Sequence, residues 1–147
     1  MEVLSLVLSA LSLLGTIILT IWGVKVTIKL NQINLNSNIC EKIFDEYLIK
    51  SIPQARSFLD FDKNNKFIGA NKLQDVLRKI RKDSLYFRYY DKKFYKKLDE
   101  AIQDLEDLLV SNMKNKIDKI KQNDILNSIE EKISKIYNII AQKKIKG

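Results

Sequence analysis

The densest chemistry in this sequence lies between residues 78 and 97. Nine cations stand there: Arg78, Lys79, Arg81, Lys82, Arg88, Lys92, Lys93, Lys96 and Lys97. Tyr86, Phe87, Tyr89, Tyr90, Phe94 and Tyr95 are interleaved with them. Cationic side chains contact phosphates while aromatic rings stack on bases. Arg78, Arg81, Tyr86, Arg88 and Tyr89 therefore form a candidate anionic-ligand site. Its ligand would be a nucleotide, a cyclic oligonucleotide signal or single-stranded nucleic acid. The same residues have a structural reading. Tyr86, Phe87, Tyr90 and Phe94 would close the end of a helical bundle, and the lysines would be its solvated face.

Other chemistry is poorly supplied. The chain has no histidine, which removes the usual imidazole base and the commonest metal ligand. The single Cys40 cannot build a thiolate metal site alone; it reads as a small buried hydrophobe and suits a reducing compartment. Four glycines, at 15, 23, 69 and 147, supply no phosphate-cradling loop. Asp60 with Asp62, and Glu130 with Glu131, are carboxylate pairs by type only, since adjacent Glu residues on a helix do not face each other and Asp60 and Asp62 sit in a turn. Oxygens at 60, 62 and 64 have the spacing of a calcium loop. Asn65 and Asn71, however, stand where that loop needs a glycine and a glutamate. No catalytic residue, metal or cofactor is expected.

The elements that must carry these residues read as helices. Ile39, Ile43, Phe44, Tyr47 and Leu48 share one side of a helix reaching about Lys50. Pro53, the only proline, opens a short helix over 53–59. Residues 58–69 are turn-rich and predict a loop or small hairpin. Asn71 is placed to cap a helix to Asp83 with Leu73, Val76, Leu77 and Ile80 inside. Asp91 is placed to cap the next, whose stripe is Phe94, Leu98, Ile102, Leu105 and Leu109. Met113, Ile117 and Ile120 continue that pattern. Asn123 or Asp124 is the expected cap of a last helix with Ile129, Ile133, Ile136 and Ile140 inside, ending in Lys143, Lys144 and Lys146.

Ahead of all this lies an uncharged run, VLSLVLSALSLLGTIILTIWGV, from Val3 to Val24. Crossing the hydrocarbon core of a bilayer takes about 20 such residues in a helix. The run follows Met-Glu, is longer than a signal-peptide core and ends without a small-residue cleavage pattern, so it reads as an anchor. Trp22 suits the headgroup level, and Lys25 and Lys29 follow. All 26 Lys and Arg residues and all but one of the 18 acids come after the run. Positive residues favour the cytoplasmic side. The expectation is a single-pass cell-membrane protein with its N-terminus outside and its basic domain cytoplasmic. Within the run, Ser5, Ser9, Ser12, Thr16, Thr20 and Gly23 form one narrow stripe of small residues, a candidate association face for a homo-oligomer. The alternative is that these hydroxyls bond their own helix while facing lipid. Val26, Leu30 and Ile33 keep the spacing beyond the run, and a break is expected near Asn34–Asn38, with Ser37 or Asn38 as cap.

The fold class is therefore all-α: a transmembrane helix (1–30, core 3–24) followed by a basic helical domain (31–147) of four to five helices. This order of anchor and soluble domain resembles small membrane-anchored bacterial proteins with a helical cytoplasmic sensor, including accessory components of antiphage defence. The resemblance is architectural, so no functional residue is carried over. The small-residue stripe of the anchor, joined to a compact charged domain, leads to the expectation of a self-associating, non-enzymatic protein whose cytoplasmic domain binds a protein partner or signal and alters membrane organisation or permeability. Anionic lipid headgroups are expected partners of the basic domain, at roughly 1 kcal/mol for each Lys or Arg close to the surface. The alternatives are a nucleotide or nucleic-acid sensor and a small membrane-bound enzyme.

Overall fold

A computed structural model describes residues 2–114 and 116–146, without the side chains of residues 2–5, 10 and 144–146. Ser5, Lys144 and Lys146 thus fall outside the described side chains. The elements are α1 (Glu2–Ile43), a π-helical segment (Phe44–Ser51), α2 (Ile52–Arg56), β1 (Asp60–Phe61), β2 (Phe67–Ile68), α3 (Ala70–Asp83), α4 (Leu85–Tyr90), α5 (Lys92–Met113) and α6 (Lys119–Lys146). The chain divides into two compact units, residues 1–36 and 37–147.

The first unit is helical throughout its described length, and nearly all of its described side chains are exposed, Leu8, Leu14, Ile18 and Trp22 among them. Its hydroxyls bond inward. Ser12 Oγ donates to the Ser9 carbonyl at 2.9 Å, Thr16 Oγ1 to Ser12 and Thr20 Oγ1 to Thr16 at 2.8 Å each, and Thr27 Oγ1 to Gly23 at 2.9 Å. Each such bond uses the hydroxyl proton within its own helix and leaves the stripe small but weakly polar.

The expected break at Asn34–Asn38 is absent, and neither Ser37 nor Asn38 is a cap: α1 runs through them to Ile43. Asparagine costs a helix roughly half a kcal/mol against alanine. Cys40 and Ile43, one turn further on, are buried in the core of the second unit, and burial of such side chains is worth more than that penalty.

In the second unit α3, α4 and α6 all pack on α5. The α5 stripe of Phe94, Leu98, Ile102, Leu105 and Leu109 is buried. It shares one core with Leu73, Leu77 and Ile80 of α3 and with Ile129, Ile136 and Ile140 of α6. Asp91 caps α5, accepting the Phe94 amide at 3.0 Å. Two expected caps are displaced. The cap position of α3 is Gly69, so Asn71 lies in the first turn. The helix α6 starts at Lys119, so Asn123 and Asp124 lie inside it. The apolar pattern after Met113 does not continue α5 either: Ile117 is buried in the connection and Ile120 is exposed.

Two joints hold the rest in place. In the π-helical segment the Ile52 amide bonds the Tyr47 carbonyl, five residues back. The next donor in that pattern would be residue 53, a proline without an N–H. The Leu48 carbonyl would then lack a backbone donor, and the Tyr137 hydroxyl on α6 donates to it. In the hairpin, Asp60 pairs with Ile68 and Phe61 with Phe67. Asp62 Oδ1 accepts the amides of Asn64 and Lys66 at 2.8 Å each, which shapes the turn around Asn65, a residue with φ of 60°. The Asn65 carbonyl then accepts the Ile117 amide at 2.9 Å, tying the hairpin tip to the α5–α6 connection. Gly69 closes the hairpin with φ of 81°. A Cβ there would stand 2.0 Å from the Phe58 carbonyl oxygen.

Candidate functional site

Two surfaces carry unusual chemistry. The first is the apolar helix of the first unit. A helix of this length and composition is long and apolar enough to cross a membrane, and none of its most apolar stretch is buried within the chain. Leaving a large apolar side chain in water forgoes about 1.5–3 kcal/mol each. On the stripe, a Cβ added at Gly23 would meet nothing within 4 Å, so packing inside the chain does not require a glycine there. The described stripe residues Ser9, Ser12, Thr16, Thr20 and Gly23 are all exposed.

The second surface is the end of the bundle where α4 meets α5. Phe87 and Phe94 are buried edge to face, with ring centroids 4.9 Å apart. Tyr86 packs edge-on to Phe87 at 5.3 Å and stacks on Tyr90 at 5.5 Å. Such pairs add about 0.5–1.5 kcal/mol beyond their buried area. Phe87 and Phe94 therefore belong to the core, while Tyr89 is 81 % exposed and Arg88 stands exposed beside it.

The five residues of the candidate anion site divide accordingly. Arg81 reaches across to α5, where Nε donates to Asp99 Oδ1 at 2.7 Å and Nη2 to Glu106 Oε2 at 2.8 Å. The two acids are two helical turns apart, and one guanidinium fork bridges them. Burial works to lower its pKa, but the hydrogen bonds and charges of Glu106 and Asp99 together outweigh it and hold the guanidinium above the ordinary arginine value. Arg78 pairs with Asp75 on its own helix at 3.3 Å. Tyr86 is engaged with its ring neighbours. Among the described residues no hydrogen bond or ring contact joins Arg78 or Arg81 to Tyr86, Arg88 or Tyr89. Among the described residues, Arg88 and Tyr89 are the members whose functional groups have no hydrogen-bond or ion-pair partner.

Asp83, at the end of α3, is held by Lys42 and Tyr47. Lys42 Nζ is 3.6 Å from Asp83 Oδ2, and the Tyr47 hydroxyl donates to the same carboxylate at 2.7 Å. Burial, and then that hydrogen bond, push the Tyr47 phenol well above its ordinary pKa, so it stays a donor. Burial likewise raises the Cys40 thiol, with Lys143 and Asp91 close enough to act on it.

Sequence reading misses the role of Lys143. Its Nζ donates to Asp91 Oδ2 at 2.9 Å, and it lies 5.8 and 5.9 Å from the Phe87 and Phe94 ring centroids. Asp91 thus caps α5 with one oxygen and holds α6 with the other. The Lys143 hydrogen bond leads in lowering its carboxyl pKa, opposed in part by burial and helped by the Phe94 amide. The apolar spacing of α6 places Lys143 near its end but carries no signal for this partner. Two clefts lie along α5 and α6, and the pair lines the smaller one. The larger, about 770 Å³, mixes Lys97, Lys132 and Lys135 with Glu100 and Glu131. The smaller, about 330 Å³, is lined by Asp91, Lys93, Phe94, Lys97, Ile139, Gln142 and Lys143.

Asp60 and Asp62 do not form a paired acid. Asp60 Oδ1 accepts the Phe61 amide at 2.7 Å, and Asp62 holds the turn. Among the described residues no group of three or more His, Cys, Asp or Glu side chains is arranged to hold a metal ion. Comparison with protein-family models, with curated proteins and with solved structures finds no match to this chain.

Proposed function

We propose that this chain is a non-enzymatic, membrane-anchored protein that self-associates through α1. Its helical domain would bind a protein partner or signal and so alter membrane organisation or permeability. One observation carries the reading: an uncharged helical segment of some 20 residues on which every described residue except Gly15 is exposed. A bilayer covers such a surface at the spacing its length provides. Lys25 and Lys29 follow the segment and favour the cytoplasmic face for the basic domain, with the N-terminus outside. The small stripe suits close helix approach, and the space open at Gly23 supports a neighbouring helix there. The hydroxyls already bonded within α1 argue that this approach depends on packing more than on interhelical donors.

The test is alkaline extraction of membranes from cells making the full chain, followed by native mass measurement in mild detergent. The expected protein stays with the membrane and has the mass of a dimer or larger assembly. Ser12→Leu with Gly23→Leu then reduces it to monomer, since a Cβ at Gly23 finds no clash within its own chain. Release at alkaline pH overturns the anchor. A monomer before substitution overturns self-association.

A second reading, a nucleotide or nucleic-acid sensor, is favoured by the free Arg88 beside the 81 %-exposed Tyr89. Titration with cyclic oligonucleotides and short single strands tests it, and Tyr89→Ala should abolish the heat. An unchanged titration would remove that reading.

A further inference from the structure

The smaller cleft between α5 and α6 has a charge balance that neither the bundle core nor its ion pairs account for. Three lysines line it, Lys93, Lys97 and Lys143, against a single acidic residue, Asp91. That carboxylate is already committed to Lys143 and to the Phe94 amide. Lys93 and Lys97 have no acidic partner among the described residues, and they stand one helical turn apart. Like charges at that spacing disfavour each other by a few tenths of a kcal/mol. Gln142 adds an amide with no hydrogen-bond partner among the described residues. Phe94 and Ile139 supply an apolar wall.

Lys143 is unlike a surface lysine. Its side chain is 17 % exposed, held by Asp91 and placed beside two aromatic rings. Its ordering is therefore met by folding, and a ligand does not have to supply it again. The cleft volume, about 330 Å³, lies at the small end of the range for ligand pockets.

We propose that this cleft binds a phosphate group, carried either by an anionic lipid or by a soluble phosphate ester. A tetrahedral group with several anionic oxygens can take the Lys93 and Lys97 ammonium groups on one side and Gln142 and the Lys143 edge on the other. A planar carboxylate offers two oxygens to the same spread of donors. Lysine acts here as a point charge, which suits phosphate without demanding the bidentate geometry of arginine. The site is separate from Arg78, Arg81, Tyr86, Arg88 and Tyr89, and it does not depend on how α1 associates.

The test uses the full chain in a neutral detergent, titrated with inorganic pyrophosphate and, separately, with short-chain phosphatidic acid. Saturable binding is expected. Lys93→Gln with Lys97→Gln weakens it at least tenfold, while Lys79→Gln with Lys82→Gln, which removes the same charge from exposed positions on α3, changes it less than twofold. Tighter binding of phosphatidic acid assigns the group to a lipid, and equal or weaker binding assigns it to a soluble ester. Absence of saturation with both probes overturns the site, as does an equal loss in the two double variants, which would mark a diffuse field. Circular dichroism of each variant checks that the helices persist.

Discussion

Replacing Tyr137 by phenylalanine removes one oxygen atom from the join between the π-helical segment and α6. Leu48 is fully buried, and its carbonyl loses the donors a helix normally offers. The Ile52 amide is bonded to Tyr47, and Pro53 has no N–H. The Tyr137 hydroxyl fills the gap. Burial raises the pKa of this phenol above its ordinary value, so it remains a donor at neutral pH. Leaving a buried acceptor unsatisfied costs about 1–3 kcal/mol. Taking about 2 kcal/mol, and about 4 °C of Tm for each kcal/mol in a domain of this size, Tyr137→Phe should melt about 8 °C lower. The assay is thermal and urea denaturation followed by circular dichroism, with both midpoints falling and the urea slope unchanged. Pro53→Ala restores an amide within reach of the Leu48 carbonyl. In that background Tyr137→Phe should cost less, by about 1 kcal/mol of coupling. A loss that is the same with proline or alanine at position 53 would refute the reasoning, and so would a Tyr137→Phe midpoint that does not move.

Gly69→Ala should cost at least about 2 kcal/mol, because φ of 81° is strained for alanine and its Cβ would overlap the Phe58 carbonyl. Gly15→Ala, where a Cβ meets nothing, should leave the urea midpoint unchanged. Asp91 sets an acid limit. Its folded pKa lies below the ordinary value, chiefly through Lys143, so its contribution is complete above about pH 5 and fades as the pH falls through the folded value. Asn can still cap α5, so Asp91→Asn removes mainly the Lys143 pair, on the order of 1 kcal/mol at pH 7. Denaturation measured from pH 7 to 3 should show wild type and Asp91→Asn converging at the acid end.

The sequence alone determines the uncharged run and the faces of the long helices. Both depend on side-chain type at fixed spacing, and the 3.6-residue period of a helix converts that spacing directly into a surface. Asp91 is legible for the same local reason, since a cap is satisfied within three residues. Helix boundaries set by burial are not legible in that way. Nothing near Asn34–Asn38 announces that α1 continues, because the stabilising partners of Cys40 and Ile43 come from elsewhere in the chain. Asn71, Asn123 and Asp124 have the right side chains for caps. The hairpin closed by Gly69 and the docking of Ile117 nevertheless start those helices earlier.

The candidate anion site shows the same division. Sequence places Arg81 and Arg88 in one basic stretch, but tertiary structure bridges Arg81 to Asp99 and Glu106 and leaves Arg88 free. Lys143 is 52 residues from Asp91, and only the packing of α6 on α5 brings them together beside Phe87 and Phe94. Spacing along the chain settles which face a residue occupies. Which charges neutralise one another, and therefore which cations remain for a ligand, depends on contacts between helices that no local pattern records.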